Sequence, residues 1–392
     1  MIYIRKEGEI KMDKYEDNRK ESSLIEQDKK LKQFESLVVE HTIIKQVKEQ
    51  LISCILNPAG TFIFLVLGPS GVGKTTLAQV LEDYFIEQMK EELVKDGGRI
   101  PIVRTEVVGF DSGKFTWKDY YYRTLEALQE PLINHKVIIE NQKEKVQNPT
   151  VNYHRKSTWY ALRSSLENAF KFRRPVACIL DEAQHLLKVS GSKSLQNQLD
   201  TIKSLANQTK VPHILVGTYE LKEFFNLSAQ LSRRTISIHF PRYKANNEDE
   251  YRTFLSVIRM LQKNMPLEEE PNLLQHADFI YERTLGCVGI LKDWLTRCLG
   301  DALHNQKSTI TKEILHKYAM PIQALEMLYG EIEQGETLFA ENEQHRINLL
   351  YKIGLKEREE KEVRKTVATR ARKVGIRNPK RDPVGKQDYM EG

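Results

Sequence analysis

The chain has 392 residues, 40% of them hydrophobic, with 60 Lys and Arg against 54 Asp and Glu and a formal net charge of +6. That length and apolar content exclude disorder for most of the chain and suggest two or three domains, while so small a surplus of positive charge identifies no polyanionic partner by itself. Cys54, Cys178, Cys287 and Cys298 are scattered without a CxxC pair, which argues against a disulfide framework or a zinc site and fits a reducing compartment. The N-terminus lacks an apolar core of signal-peptide length, and no stretch approaches the roughly 18 uncharged apolar residues of a membrane span. The expectation is a soluble intracellular protein with no membrane partner.

Residues 1–34 are mostly charged and polar, with Met12 an alternative start, and read as a loosely ordered N-terminal arm. From residue 35 to 243 strand-like and helix-like runs alternate, as in a parallel sheet covered by helices on both faces. Five strands are predicted: Thr61 to Leu67, Ile102 to Val108, Val176 to Leu180, Ile214 to Gly217 and Ile236 to Phe240. Several are continuous apolar runs, the pattern of strands buried on both sides. Leu77, Val80, Leu81, Tyr84 and Phe85 fall on one helical stripe, and so do Trp159, Leu162, Leu166 and Ala169. After Pro241 the strands stop, and Tyr251, Phe254, Leu255, Ile258 and Leu261 begin an all-helical region over residues 244–320. Residues 321–392 read as a C-terminal helix and a basic tail. Between Arg364 and Arg381 lie eight basic residues and no acid.

Gly68-Pro69-Ser70-Gly71-Val72-Gly73-Lys74-Thr75 matches GxxxxGK[ST] and stands directly after a predicted strand and before a predicted helix. Such a loop turns its N–H groups inward on a phosphate chain, with Thr76 next in the helix. Lys74 would meet the β- and γ-phosphates of ATP, and Thr75 would ligate Mg²⁺. About a hundred residues on, the strand Val176 to Leu180 ends in Asp181 and Glu182, which puts two carboxylates at the ligand edge of an open α/β sheet. Asp181 is the candidate second Mg²⁺ residue, and Glu182 the candidate for polarising the attacking water. His185 is read as a structural neighbour, since Glu182 already supplies the base.

A phosphate loop, a strand ending in Asp-Glu, a further strand ending in Gly217-Thr218, then Leu231-Ser-Arg233-Arg234 before a strand and a helical lid resemble the order of an AAA+ ATPase. The resemblance implies a five-stranded parallel P-loop core with a small helical lid. It also implies that Thr218 contacts the γ-phosphate and that Arg233 or Arg234 reaches the nucleotide of a neighbouring subunit, where a guanidinium stabilises charge on the transferring phosphoryl group. Lids of this family commonly carry an arginine in a Gly-x-x-Arg pattern. Here Gly286-Cys-Val-Gly289-Ile-Leu-Lys292 has glycine at that place, and Lys292 is the candidate substitute. The GxxG variant, with the phrases Gly109-Phe-Asp-Ser-Gly-Lys-Phe115-Thr-Trp117, Asp-Glu-Ala-Gln-His185 and Leu-Val-Gly217-Thr218-Tyr-Glu, is similar to the TnsC and TniB regulators of cut-and-paste transposons. Origin-recognition ATPases are near relatives of that group.

Lys114, Lys118 and Arg123 are interleaved with Phe115, Trp117, Tyr120, Tyr121 and Tyr122. Thr116 and Asp119 have capping-box spacing, so a helix is predicted from Trp117, with Tyr121, Leu125 and Leu128 on its apolar side. These rings are either core or part of a surface whose basic residues touch DNA phosphates without reading sequence, and the resemblance adds to the second reading. Residues 129–157 form a polar, lysine-containing insert read as a solvated loop or a docking segment. The basic tail reads as an interaction arm. The resemblance implies that this tail meets a transposase, and non-specific DNA attraction is the alternative.

Together these readings predict an ATPase of the bacterial cytoplasm, nucleoid-associated, that assembles as a ring or helical filament on duplex DNA. It would link a target-selector protein of TniQ-like or TnsD-like kind to a transposase, with no nuclease chemistry of its own. The alternatives are an origin-binding or helicase-loading ATPase and a signalling NTPase indifferent to DNA.

Overall fold

The computed structural model describes residues 24–109, 115–133, 158–188, 192–226, 235–340 and 343–356. The chain forms two units, Met1–Ala340 and Glu341–Gly392. In the first, five strands, β1 (Ile63–Leu67), β2 (Ile102–Glu106), β3 (Ala177–Asp181), β4 (His213–Gly217) and β5 (Thr235–His239), lie in the order β2-β3-β4-β1-β5. All their pairings are parallel. Each parallel pair needs a crossover, and the helices supplying them cover both faces.

Helix α1 covers residues 24–35, so part of the charged N-terminal stretch is helical and ends on the buried Phe34. Then come α2 (Thr42–Leu56), α3 (Lys74–Gln88), the short α4 (Lys90–Lys95), α5 (Trp117–Ala127), α6 (Thr158–Arg173) and α7 (Ser192–Thr209). After β5 the chain is helical: α8 (Glu248–Lys263), α9 (Ala277–Thr284), α10 (Val288–His304), α11 (Lys312–Tyr318) and α12 (Ile322–Glu336). Of the second unit only α13 (Glu343–Lys352) and the few residues after it are described.

Side chains alternate along a strand, and the two faces of the sheet close separate apolar interiors. Ile63, Leu65 and Leu67 face Tyr121, Leu125, Leu162, Leu166 and Leu199 of α5, α6 and α7. Phe64 and Val66 belong to the other interior, which is continuous from α2 and α3 into the lid through Phe254, Leu261, Leu291 and Trp294. Aromatic rings mark that continuity, with His41 against Phe240 and Tyr243, Tyr243 against Phe254, and Phe254 against Tyr281.

The expected stripe of α6 holds for Leu162, Leu166 and Ala169, which are buried, whereas Trp159 in the first turn is half exposed. In α5 the predicted cap forms: Asp119 N donates to Thr116 Oγ1 at 3.4 Å. Helix α12 returns to the sheet, where Glu336 accepts from Arg242 Nε at 3.0 Å and pairs with Lys244 Nζ at 3.0 Å. Among the described residues no helix is long and apolar enough to cross a membrane.

Candidate functional site

The carboxyl ends of β1, β3 and β4 bring the candidate residues together. After β1 the loop from Gly68 wraps into α3, with Gly71 at φ +73° and Gly73 at φ +110°, values in the left-handed region that glycine adopts at no steric cost. The N–H groups of Gly71, Gly73, Lys74 and Thr75 have no backbone carbonyl partner among the described residues. Amides left without a backbone partner at the positive end of a helix are what an anion cradle requires. Lys74 is buried, 7% exposed, with Nζ donating to the Gly68 carbonyl at 3.1 Å and the Pro69 carbonyl at 2.8 Å. Burial pushes its ammonium down to about 8, against the opposing pull of Glu182 and Asp181. The ammonium is thus held back on its own loop, poorly solvated and short of a full counter-charge, which suits it to a phosphate.

Asp181 closes β3 and is 5% exposed, with the guanidinium Nη2 of Arg104 from β2 at 3.9 Å from Oδ2. Thr75, exposed at the start of α3, can supply the hydroxyl that completes a cation site with Asp181. Glu182 follows in the left-handed region at φ +52°, a strained position for a side chain with a Cβ, and its N–H donates to Asp181 Oδ1 at 3.0 Å. The chain then turns through a 3₁₀ segment, Ala183–Leu187. Just past β4, the Thr218 hydroxyl is buried without a hydrogen-bond partner among the described residues. A buried hydroxyl of this kind costs stability unless a ligand satisfies it. The free amides, the withdrawn Lys74 and the open hydroxyl of Thr218 therefore fit a polyphosphate.

The lid meets the loop directly. Ile290 N, in the first turn of α10, donates to the Gly71 carbonyl at 3.0 Å. A Cβ at Gly289 would lie 2.4 Å from that same carbonyl oxygen and 3.0 Å from its carbon. An arginine cannot stand there while the helix is docked, which is the physical reason for the second glycine of the GxxG pattern. Lys292, three residues on, donates through Nζ to the carbonyls of Glu35, at 2.7 Å, and of Leu37. It ties the lid to the end of α1.

Two features escaped sequence reasoning. Arg104 lies in a strand whose apolar pattern drew attention away from it. Gln184 lay inside the quoted phrase Asp-Glu-Ala-Gln-His yet carried no role; its carboxamide lies between Glu182 and Thr218. Of the DNA candidates, Lys118 and Arg123 are exposed on α5, with Arg123 Nε bonded to Asp119 Oδ2 at 2.6 Å. Four of the five neighbouring rings belong to the core: Tyr120 and Tyr121 are buried, and Phe115 and Trp117 pack against the same interior, while Tyr122 is half-buried. Lys114, Arg233, Arg234, most of the insert and the basic tail lie outside the described residues.

A family model described as an AAA domain matches residues 60–225. The fold is similar to that of the Aeropyrum pernix ORC2 protein in ADPNP–ADP complexes, with TM-score 0.48 and 15% identity over 74% of this chain and 71% of that one. It is also similar to the Aeropyrum pernix ORC1 protein in complex with DNA, with TM-score 0.46 and 16% identity over 71% and 65%. A Walker-type ATPase of Pyrococcus abyssi gives TM-score 0.42 and 15% identity over 74% of each chain. No curated protein matches the chain. The matched residues span the phosphate loop, the Asp181-Glu182 strand end and Thr218, so this stretch is similar to an AAA domain, and the five parallel strands in the order β2-β3-β4-β1-β5 with their flanking helices form a P-loop AAA+ fold.

Proposed function

We propose that the chain is a DNA-dependent AAA+ ATPase that assembles on duplex DNA when ATP is bound and regulates DNA transposition. The observation that carries the ATPase part is the convergence of Lys74, Asp181, Glu182 and Thr218 on a loop of unpaired amides. Thr75 and Asp181 would hold Mg²⁺, which when bound neutralises charge on the β- and γ-phosphates. Lys74 exchanges its two loop carbonyls for phosphate oxygens. The Thr218 hydroxyl donates to the γ-phosphate, and Glu182 accepts a proton from the attacking water. Arg233 or Arg234 supplies the charge from a neighbouring copy, so turnover depends on assembly. Lys292 serves as the lid cation only if it leaves the carbonyls of Glu35 and Leu37.

The DNA and transposition parts rest on the sequence: Lys114, Lys118 and Arg123 for phosphate contact, the basic tail for a transposase, and the GxxG and Asp-Glu-Ala-Gln-His phrases for the TnsC-like group. Electron microscopy with duplex DNA and a slowly hydrolysed ATP analogue, beside ATPase rates, tests them. Rings or filaments that need both nucleotide and DNA support the reading. Monomers whose ATPase ignores DNA overturn it in favour of a nucleotide switch, and binding confined to particular duplex sequences favours an origin-binding role. Removal of residues after Tyr351 is expected to leave assembly intact and abolish transposase capture.

A further inference from the structure

The carboxamide of Gln184 uses both its ends. Nε2 donates to Glu182 Oε2 at 2.5 Å, and Oε1 accepts from Thr218 N at 3.3 Å. Only one orientation of the amide satisfies both partners, because a carboxylate can only accept and a backbone N–H can only donate. The side chain is 8% exposed, so these two bonds are not readily replaced by water.

Local structure makes the bridge. Strands β3 and β4 pair in parallel, Leu180 opposite Leu215, so the chain emerges from both at the same sheet edge. The left-handed backbone at Glu182 and the 3₁₀ turn after it bring Gln184 back across that edge. Gly217 leaves the space: a Cβ there would lie 2.4 Å from Gln184 Oε1. One residue further, the Thr218 hydroxyl stands without a hydrogen-bond partner among the described residues.

We infer that Gln184 is a positioning residue that fixes the Glu182 carboxylate through one oxygen and ties it to the backbone of Thr218. The inference rests on the ATPase reading above and deepens it. With Oε2 held by the amide, Oε1 is left to face the water that Glu182 polarises. A shift of Thr218 on meeting a γ-phosphate reaches Glu182 through a single rigid amide, which links sensing the terminal phosphate to placing the base. The residue type follows from the chemistry. A glutamate would repel Glu182, a lysine would neutralise it, and an asparagine is one methylene too short to span both partners.

The test compares Gln184→Met, which keeps length and volume without donor or acceptor, and Gln184→Glu, which keeps the acceptor for Thr218, each alone and with Glu182→Gln. Fluorescent ATP-analogue binding gives Kd, and steady-state phosphate release gives kcat. Both single variants are expected to bind nucleotide within about threefold of the unaltered chain and to lose about tenfold to a hundredfold in kcat, the range of one hydrogen bond to a charged group. In the Glu182→Gln background, Gln184→Met should change residual turnover less than about twofold, since its effect acts through Glu182. Unchanged kcat in Gln184→Met, or losses that multiply in the double variant, overturns the positioning role. If Gln184→Met fails to fold, Gln184→Glu carries the same test, and full turnover there overturns it equally. Absence of turnover in the unaltered chain, with or without duplex DNA, overturns the ATPase reading and this inference together, and is seen before any variant is made.

Discussion

Replacing Lys74 with methionine should stabilise the nucleotide-free protein while abolishing nucleotide binding. The Lys74 ammonium falls from an ordinary value of 10.5 to about 8. A drop of about 2.5 pH units costs about 3 kcal/mol of folding free energy at pH 7, at about 1.36 kcal/mol per unit. The attraction of Asp181 and Glu182 is already contained in that balance. Methionine has nearly the same length and removes the charge, but it leaves the Gly68 and Pro69 carbonyls without their donor, a loss of about 1 kcal/mol. The net expectation is a gain of about 2 kcal/mol at pH 7.

The sign in pH follows from the depressed value. The unfolded chain holds a proton on Lys74 between pH 8 and 10.5 that the folded chain has released, so the penalty is whole below pH 8 and fades as pH rises toward 10.5. Urea unfolding of both proteins without nucleotide at pH 7 and pH 10, followed by far-ultraviolet circular dichroism, measures it. The advantage of Lys74→Met should fall to near zero at pH 10. A variant less stable than the unaltered chain at pH 7, or a difference equal at both pH values, would refute the placement of a poorly compensated charge at the phosphate loop.

Glu182→Gln should retain nucleotide binding, lose turnover and accumulate DNA-bound assemblies; unchanged phosphate release would show that another group positions the water. Gly289→Ala should destabilise the fold by about 1–3 kcal/mol, because its Cβ meets the Gly71 carbonyl at 2.4 Å and backbone cannot yield as a side chain does. It should also weaken nucleotide binding, and a variant with unaltered melting and affinity would mean that the lid stands away from the loop. Burial holds the imidazoles of His41 and His213 down at about 4. The unfolded chain therefore binds more protons between about pH 6.5 and 4, and stability falls by about 4 kcal/mol from pH 7.5 to pH 5 for the two together. Urea midpoints that stay flat over that interval would show these histidines to be solvated.

Strands β1, β3 and β4 were legible because burial on both faces leaves apolar runs that little else in a polar chain produces. Their edges were less so. The first begins at Ile63, two residues later than its apolar pattern, because Thr61 is bonded into a turn on Pro58. The fourth begins at His213, whose polar ring is wholly buried and bonded to the Val211 carbonyl, so hydropathy hides it. Strand order was not legible, since apolar runs carry no record of their neighbours. At the site, the grouping of Lys74, Asp181, Glu182 and Thr218 at one sheet edge was readable because each stands at a fixed place on a strand or loop end. Gln184 was not, because its contacts depend on a turn that folds it back and on the end of a neighbouring strand 34 residues away in sequence. The aromatic cluster at the start of α5 shows the opposite limit. Its composition suited a nucleic-acid surface, but Tyr120 and Tyr121 are buried, and Phe115 and Trp117 pack against the same interior.

The interior shared by the sheet and the lid bears on how the molecule can be divided. Phe64 and Val66 on one side and Phe254, Leu261 and Trp294 on the other belong to one apolar body, with Phe240 and Tyr243 at the seam. A fragment ending near residue 243 would expose much of that body to water, and the helices cut away would carry an equally bare face. Neither piece has a polar boundary at which to stop, so excision exchanges one buried surface for two sticky ones. Slow hydrogen exchange should accordingly extend from β1 through α8 and α10 as one protected block, opening together rather than in turn.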